Sequence, residues 1–321
     1  MVLFFVLRQI NEWLEHQQFW LCALIYFDRS EMTHLITPEL KYFPYKGGSL
    51  AYREAGAGPV LFFLHGMNGN SRSWASSFLS LRTSFRVIAW DAPSFGSSGS
   101  FGDSIEAYKS AAKALIRGLG VQDAVLIGHS MGGLVATKLA TDAEASISGL
   151  VLSSSHLGFG RPKGEPLMAR YSNRIEALNK NNADAEYTME RAKRSTPEGT
   201  HEDVIKFLAD VAGNTRIEGI RDGGRMSQET DNTVACEDIN APVLMLTGSK
   251  DSIISTEMHA ALVAALPDAD KVVIPEAGHA SYAEYPDIFN KHVKEFAEKV
   301  WRLNRVASTA KKQKNNWEKK I

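Results

Sequence analysis

Gly128-His129-Ser130-Met131-Gly132-Gly133 sets a serine among glycines where a short apolar run, Ala124 to Ile127, gives way to a helix-patterned one, Met131 to Thr141. A strand-to-helix turn this tight strains its central residue and leaves no room for side chains two positions to either side, so Ser130 would stand exposed above a sheet. The bare G-x-S-x-G string arises by chance in roughly one such chain in six, and the strand before it and helix after it supply the specificity. A serine hydroxyl becomes a nucleophile only when a base of near-neutral pKa takes its proton. His279, in Pro275-Glu276-Ala277-Gly278-His279 directly after the last predicted strand, is the histidine best placed for this. The imidazole needs a carboxylate to fix its tautomer, and Asp251, in Thr247-Gly248-Ser249-Lys250-Asp251, also follows a strand.

The oxyanion of a tetrahedral intermediate is stabilised by aimed backbone N–H groups, each worth about 2.7 to 4 kcal/mol. Met131 offers one at a helix N-terminus, and Met67, in His65-Gly66-Met67-Asn68-Gly69 after the Val60 to Leu64 run, offers a second. Their side chains are expected to be pocket walls. His65, Asn68 and His156 are the candidate substrate contacts, with His65 also shaping its loop and His129 turned away from Ser130. Asp91, in Asp91-Ala92-Pro93-Ser94-Phe95-Gly96, is read as a turn former.

The elements that must position these residues follow from periodicity. From about Lys41 short apolar runs alternate with amphipathic ones, the pattern of a mainly parallel sheet covered by helices. Lys41 to Tyr45 and Ser49 to Arg53 form an opening hairpin around Lys46-Gly47-Gly48. Buried strands are predicted at Val60 to Leu64, Arg86 to Trp90, Ala124 to Ile127, Gly149 to Leu152, Val243 to Thr247 and Lys271 to Ile274. Helices are predicted over Ser104 to Leu119, Met131 to Thr141, Thr256 to Leu266 and Tyr285 to Trp301. The rhythm fails between about His156 and Asn240, an arginine-rich stretch read as a helical insertion above the carboxyl ends of the strands.

Composition removes other classes. At 44% apolar and 23% charged the chain is globular, and a net charge of -1 gives no global field for a nucleic acid. Cys22 and Cys236 are too far apart in sequence for a disulfide framework or a metal cluster, a usage that suits the reducing cytoplasm. The longest apolar run, Phe19 to Phe27, is about half of what a membrane-spanning helix needs. Residues 1–31 lack the order of a secretory signal and leave three readings: a helix docked on the domain, translation from an upstream start with Met32 as the alternative, and an interfacial membrane anchor in residues 1–27. The lysine-rich segment 308–321 is expected to be a disordered tail.

With Ser130, Asp251 and His279 in that order, the chain from about Lys41 to Val300 resembles the α/β-hydrolase superfamily. The resemblance implies a mostly parallel eight-stranded sheet flanked by helices, a core made of residues 41–155 and 241–301, a helical cap at 156–240, and no cofactor. Ser130 stands where haloalkane dehalogenases and epoxide hydrolases carry aspartate. His129 and Ala280 stand where carbon–carbon hydrolases of ring-cleavage products typically carry asparagine and tryptophan. The elbow looks more like small carboxylesterases and enol-lactonases. The expected activity is hydrolysis of a small-molecule carboxylic ester or lactone through an acyl-enzyme. The alternatives are carbon–carbon hydrolysis of a dienoate, with Arg161, Arg174 or Arg225 holding its carboxylate, and a non-catalytic ligand-binding member of the fold.

Overall fold

The structure is a computed structural model and describes residues 37–181 and 184–318, so the readings for residues 1–31 lie outside the described residues. The opening hairpin pairs β1 (Leu40–Tyr45) with β2 (Gly48–Ala55), and its two turn residues, Lys46 and Gly47, both take positive φ. Such a turn matches the twist of the strands it joins. The further strands are β3 (Val60–Leu64), β4 (Arg86–Trp90), β5 (Ala124–His129), β6 (Ile147–Ser153), β7 (Val243–Gly248) and β8 (Asp270–Ile274). They form one eight-stranded sheet in the order β1-β2-β4-β3-β5-β6-β7-β8, in which β2 is antiparallel to both neighbours and the remainder are parallel. Strand ends match the sequence reading within two residues. The main extension, β5 through Gly128 to His129, comes from cross-strand pairing of His129 with Ser153, which an apolar-run criterion does not detect.

The helices are α1 (Ala75–Leu81), α2 (Ile105–Gly118), α3 (Met131–Ala140), α4 (Ala169–Asn181), α5 (Ala185–Arg194), α6 (Glu202–Ala212), α7 (Ile217–Glu229), α8 (Thr233–Glu237), α9 (Thr256–Ala265), α10 (Ser281–Glu284) and α11 (Pro286–Glu318). Side-chain alternation along β3 divides the core in two. Leu61 and Phe63 face α1 and α11, with Phe78, Phe289 and Val293, whereas Phe62 and Leu64 face α2 and α3, with Leu115, Leu134 and Val135. Each fully buried Leu, Val or Phe contributes about 1.5–3 kcal/mol, so both faces are needed to hold the sheet. Ser104 caps α2 by accepting from the Ala107 N–H, and Gly120, at φ +67°, ends it as the sequence predicts. α11 runs on to Glu318, into the lysine-rich segment that begins at residue 308. Pro286 suits the first helical position, and no Gly or Pro follows it before Glu318. No helix among the described residues is long and apolar enough to cross a membrane.

Two contacts set the loops above the sheet. Asp91, at the end of β4, accepts from Ser71 N–H at 2.7 Å and Ser97 N–H at 2.8 Å, joining the loop before α1 to the turn ending at Gly96. Gly96 is at φ +49°, and a Cβ there would lie 2.2 Å from the Asp91 carboxylate. Helices α4 to α8 fill the connection between β6 and β7. Within it Tyr171, Leu178, Tyr187 and Ile220 make a small core of their own. It seats on the sheet through α7, where Gly219 and Gly223 pack against the Phe95 ring and Asp222 accepts from Ser94 Oγ at 2.6 Å. Glycine costs a helix about 1 kcal/mol per residue relative to alanine, and here it allows backbone and ring to approach. Asp91→Ala should lower stability by about 2–3 kcal/mol in urea unfolding, because the buried Ser71 N–H loses its acceptor. A loss under about 0.5 kcal/mol would reduce Asp91 to a solvated turn residue.

Candidate active site

Ser130 links β5 to α3 with φ +51° and ψ -119°, a conformation rarely adopted by a residue with a side chain. Its neighbours show what enforces it. A Cβ on Gly128 would lie 2.7 Å from Ala136 Cβ and from the Gly132 carbonyl, and one on Gly132 would lie 2.2 Å from the Leu64 carbonyl. A Cβ on Gly133 would overlap Ser155 Oγ at 2.1 Å, and that hydroxyl donates to the Ser130 carbonyl at 3.0 Å. The Ser130 N–H in turn donates to Ser153 O at 2.9 Å, so β6 holds the turn from the other side.

His279 and Asp251 meet across the loops after β8 and β7. Nδ1–H of the imidazole donates to Asp251, with Oδ2 at 3.0 Å and Oδ1 at 3.2 Å. Asp251 Oδ1 also accepts from the N–H groups of Ile253 at 2.9 Å and Ile254 at 3.1 Å. Burial pushes this carboxyl's pKa up, but the His279 hydrogen bond and charge together with the Ile254 and Ile253 N–H groups outweigh it, bringing the pKa to about 2. A carboxylate can only accept, so Nδ1 carries the proton and Nε2 of the neutral ring keeps its lone pair. The insertion fixes the backbone of this loop, since the Ser195 carbonyl after α5 accepts from His279 N–H at 2.9 Å and Ala280 N–H at 3.3 Å.

Ser130 and His279 line one cavity of about 750 Å³ between the strand ends and the insertion, together with Met67, Asn68, Met131 and His156. Among the described residues Ser130 Oγ forms no hydrogen bond with the His279 ring, a contact that in ligand-free sites often tightens only when substrate binds. Met67 lies in a turn closed by Gly69 N–H on Gly66 O at 2.9 Å. Met131 is the first residue of α3, where N–H groups have no intrahelical acceptor. His156 accepts from Gly158 N–H at 3.0 Å, and burial, followed by the positive charge of Arg170, lowers its pKa to about 4, so it presents a neutral ring.

Two sequence expectations are corrected. His65 is not a cavity residue: its Nδ1–H donates to Gly66 O at 2.8 Å and its Nε2 accepts from Ala92 N–H at 2.9 Å, so both ring nitrogens are spent on the loops, in line with the loop-shaping role alone. Of the three arginines, Arg161 pairs with Glu165 at the surface, and Arg225 bonds Glu165 O and pairs with Glu229. Only Arg174 reaches the cavity.

The sequence reading missed the role of His129. Its ring lies 4.7 Å from that of His279 and 5.0 Å from that of Tyr282, and burial, then repulsion from His279, pushes its pKa well down. Neutral His129 is thus a flat wall behind His279, a role that only the spatial neighbours reveal. Ser155 and Ser195 likewise carry no sequence signal, because each acts on a backbone brought near by folding.

A folded-state pKa of about 2 for Asp251 lies below its ordinary value of 3.8, so its contribution to stability is complete above pH 4 and is lost as pH falls through about 2. That contribution is about 2 kcal/mol. Urea titrations of wild type and Asp251→Asn between pH 5 and pH 2 should show a shallower acid loss in the variant, whereas parallel curves would remove this group from the acid limb. Gly132→Ala should cost several kcal/mol, at least about 3, in the same assay, since the added methyl meets the backbone carbonyls of Leu64 and His65.

Comparison with known proteins agrees with this geometry. The profile of the alpha/beta hydrolase family matches residues 61–292. The pimeloyl-(acyl-carrier protein) methyl ester esterase of Pectobacterium carotovorum is 26% identical over 261 residues, covering 78% of this chain and 99% of that protein. The structure of a thermophilic esterase from Thermogutta terrifontis is 26% identical with a TM-score of 0.71, covering 82% of this chain and 99% of that one. The enol-lactonase of Burkholderia xenovorans LB400, at 22% identity and a TM-score of 0.70 over 80% of this chain and 99% of that one, shares the fold. The match across most of the chain, on a sheet of this order with this strained serine turn, makes the protein a member of the alpha/beta hydrolase family.

Proposed function

We propose that the protein hydrolyses a carboxylic ester or lactone of a small molecule through an acyl-enzyme on Ser130, without a cofactor. The observation that carries this reading is the His279–Asp251 pair, bonded at 3.0 Å, on the wall of the cavity that also holds Ser130. Oγ of Ser130 attacks the carbonyl carbon while Nε2 of His279 takes its proton, and Asp251 stabilises the resulting imidazolium. The N–H groups of Met67 and Met131 receive the oxyanion. Collapse of the intermediate expels the alcohol, which takes the proton from His279 and leaves the acyl group on Ser130. Water, deprotonated by His279, then attacks the acyl carbon, and the acid leaves as Oγ regains its proton.

Asn68 and His156 contact the bound substrate in this scheme, and residues 156–240 form the cap over it. The Pectobacterium relative, named for a methyl ester, and the Thermogutta esterase favour the ester over other hydrolysable bonds. Cysteine usage suits the cytoplasm, with Cys236 free and buried.

A fluorophosphonate should label the wild type on Ser130, read by peptide mass, and spare Ser130→Ala. On short p-nitrophenyl esters Ser130→Ala should lose about 10⁴-fold or more in kcat and Asp251→Asn about 10³- to 10⁴-fold. Equal rates for wild type and Ser130→Ala would defeat the proposal.

A further inference from the structure

The cavity wall supplied by the insertion is rich in positive charge. Arg170, Arg174, Arg191 and Arg194 line it against one carboxylate, Glu190. Glu190 is already engaged, at 2.5 Å from Arg191 and 3.7 Å from Arg194. Arg170 leans over the rings of Phe159, at 5.0 Å, and Tyr171, at 5.6 Å, on the exposed side. Arg174 differs from all of these.

Its side chain emerges from α4, one terminal nitrogen donates to Asn68 Oδ1, and its Nε is sealed from solvent with no hydrogen-bond partner among the described residues. No described carboxylate forms an ion pair with it; burial opposes its charge most and Arg191 adds to that, while the phenols of Tyr187 and Tyr171 favour it. An arginine remains charged in such a place, so the half-buried guanidinium carries its charge without an ion-pair partner among the described residues. Nε of Arg191 is also sealed without a hydrogen-bond partner among the described residues. The same stretch of wall therefore holds a surplus of donors and a surplus of positive charge. Both are relieved by one ligand group, an oxyanion. A guanidinium fork matches the two oxygens of a planar carboxylate.

We infer that Arg174, steadied by Asn68, is an anion subsite that binds a free carboxylate on the substrate, so the preferred esters are half-esters of dicarboxylic acids. The word substrate rests on the ester-hydrolase reading, but the subsite does not. Asn68 follows Met67 in the chain, so the arginine is tied to the loop that presents one proposed oxyanion N–H. The carboxylate then lies at the insertion side of the cavity while the scissile carbonyl sits at Ser130.

The test compares mono-p-nitrophenyl glutarate with its neutral methyl ester on wild type, Arg174→Met and Arg174→Lys. Wild type should favour the acid, and the acid-to-neutral ratio of kcat/KM should fall roughly 10- to 100-fold in Arg174→Met, mainly through KM, with Arg174→Lys between them. An unchanged ratio overturns the subsite while leaving the esterase reading intact. Calorimetry of monomethyl glutarate binding to Ser130→Ala, with and without Arg174→Met, decides the subsite without catalysis. At least tenfold weaker binding in the double variant supports it, and equal affinity overturns it. Arg174→Lys, checked by thermal unfolding, serves if the methionine variant fails to fold. Tighter binding of propyl phosphate than of monomethyl glutarate would overturn the carboxylate assignment. Failure of fluorophosphonate labelling would sink the esterase reading alone.

Discussion

The contact between the serine turn and the end of β3 governs the rest of the site. Gly132 sits so close to the carbonyls of Leu64 and His65 that no side chain fits, and this proximity sets where α3 begins relative to the sheet. With α3 fixed, Ser130 has to turn through φ +51°, and its hydroxyl stands clear of the strand ends. The strain is held by packing from β3, from Ser153 at the end of β6 and Ser155 beyond it, and from the methyl of Ala136. A loosened turn would release the strain and lose the geometry together.

Histidines illustrate how one residue type is divided among tasks by its partners. His65 spends both nitrogens on backbone groups and becomes a bracket between two loops. His129 is buried with its ring tilted against that of His279, and burial keeps it neutral beside that ring. Of these three, only His279 has a carboxylate on Nδ1, and that carboxylate is itself held ionised by the His279 bond and by N–H groups of Ile253 and Ile254. The His279 imidazole is thus kept in one tautomer by a chain of bonds ending in backbone.

The insertion is more than a cover. Its Ser195 carbonyl holds the backbone of His279, its α7 glycines admit Phe95, and its Asp222 takes the Ser94 hydroxyl. The insertion and the loops of the sheet are therefore braced against each other around the cavity, and movement of one would be felt at the imidazole. Its arginines give the cavity a charge that the near-neutral whole chain does not have.

Short β-branched runs and the glycine spacing around position 130 were enough to read the fold, and the sequence also pointed to His279 and Asp251, which bond, and to Ser130, which lines the same cavity as His279. Those signals are local: a strand buried on both faces has to be apolar, and a turn without room has to be glycine. Tertiary structure alone decided that His65 serves the loops, that Arg174 and neither Arg161 nor Arg225 reaches the cavity, and that Ser195 steadies a histidine 84 positions away in the chain. Each of these depends on which atoms arrive beside a side chain after the insertion folds over the sheet. Hydrogen bonding and charge pairing act over a few ångströms, and that neighbourhood is not written in the periodicity of any one segment.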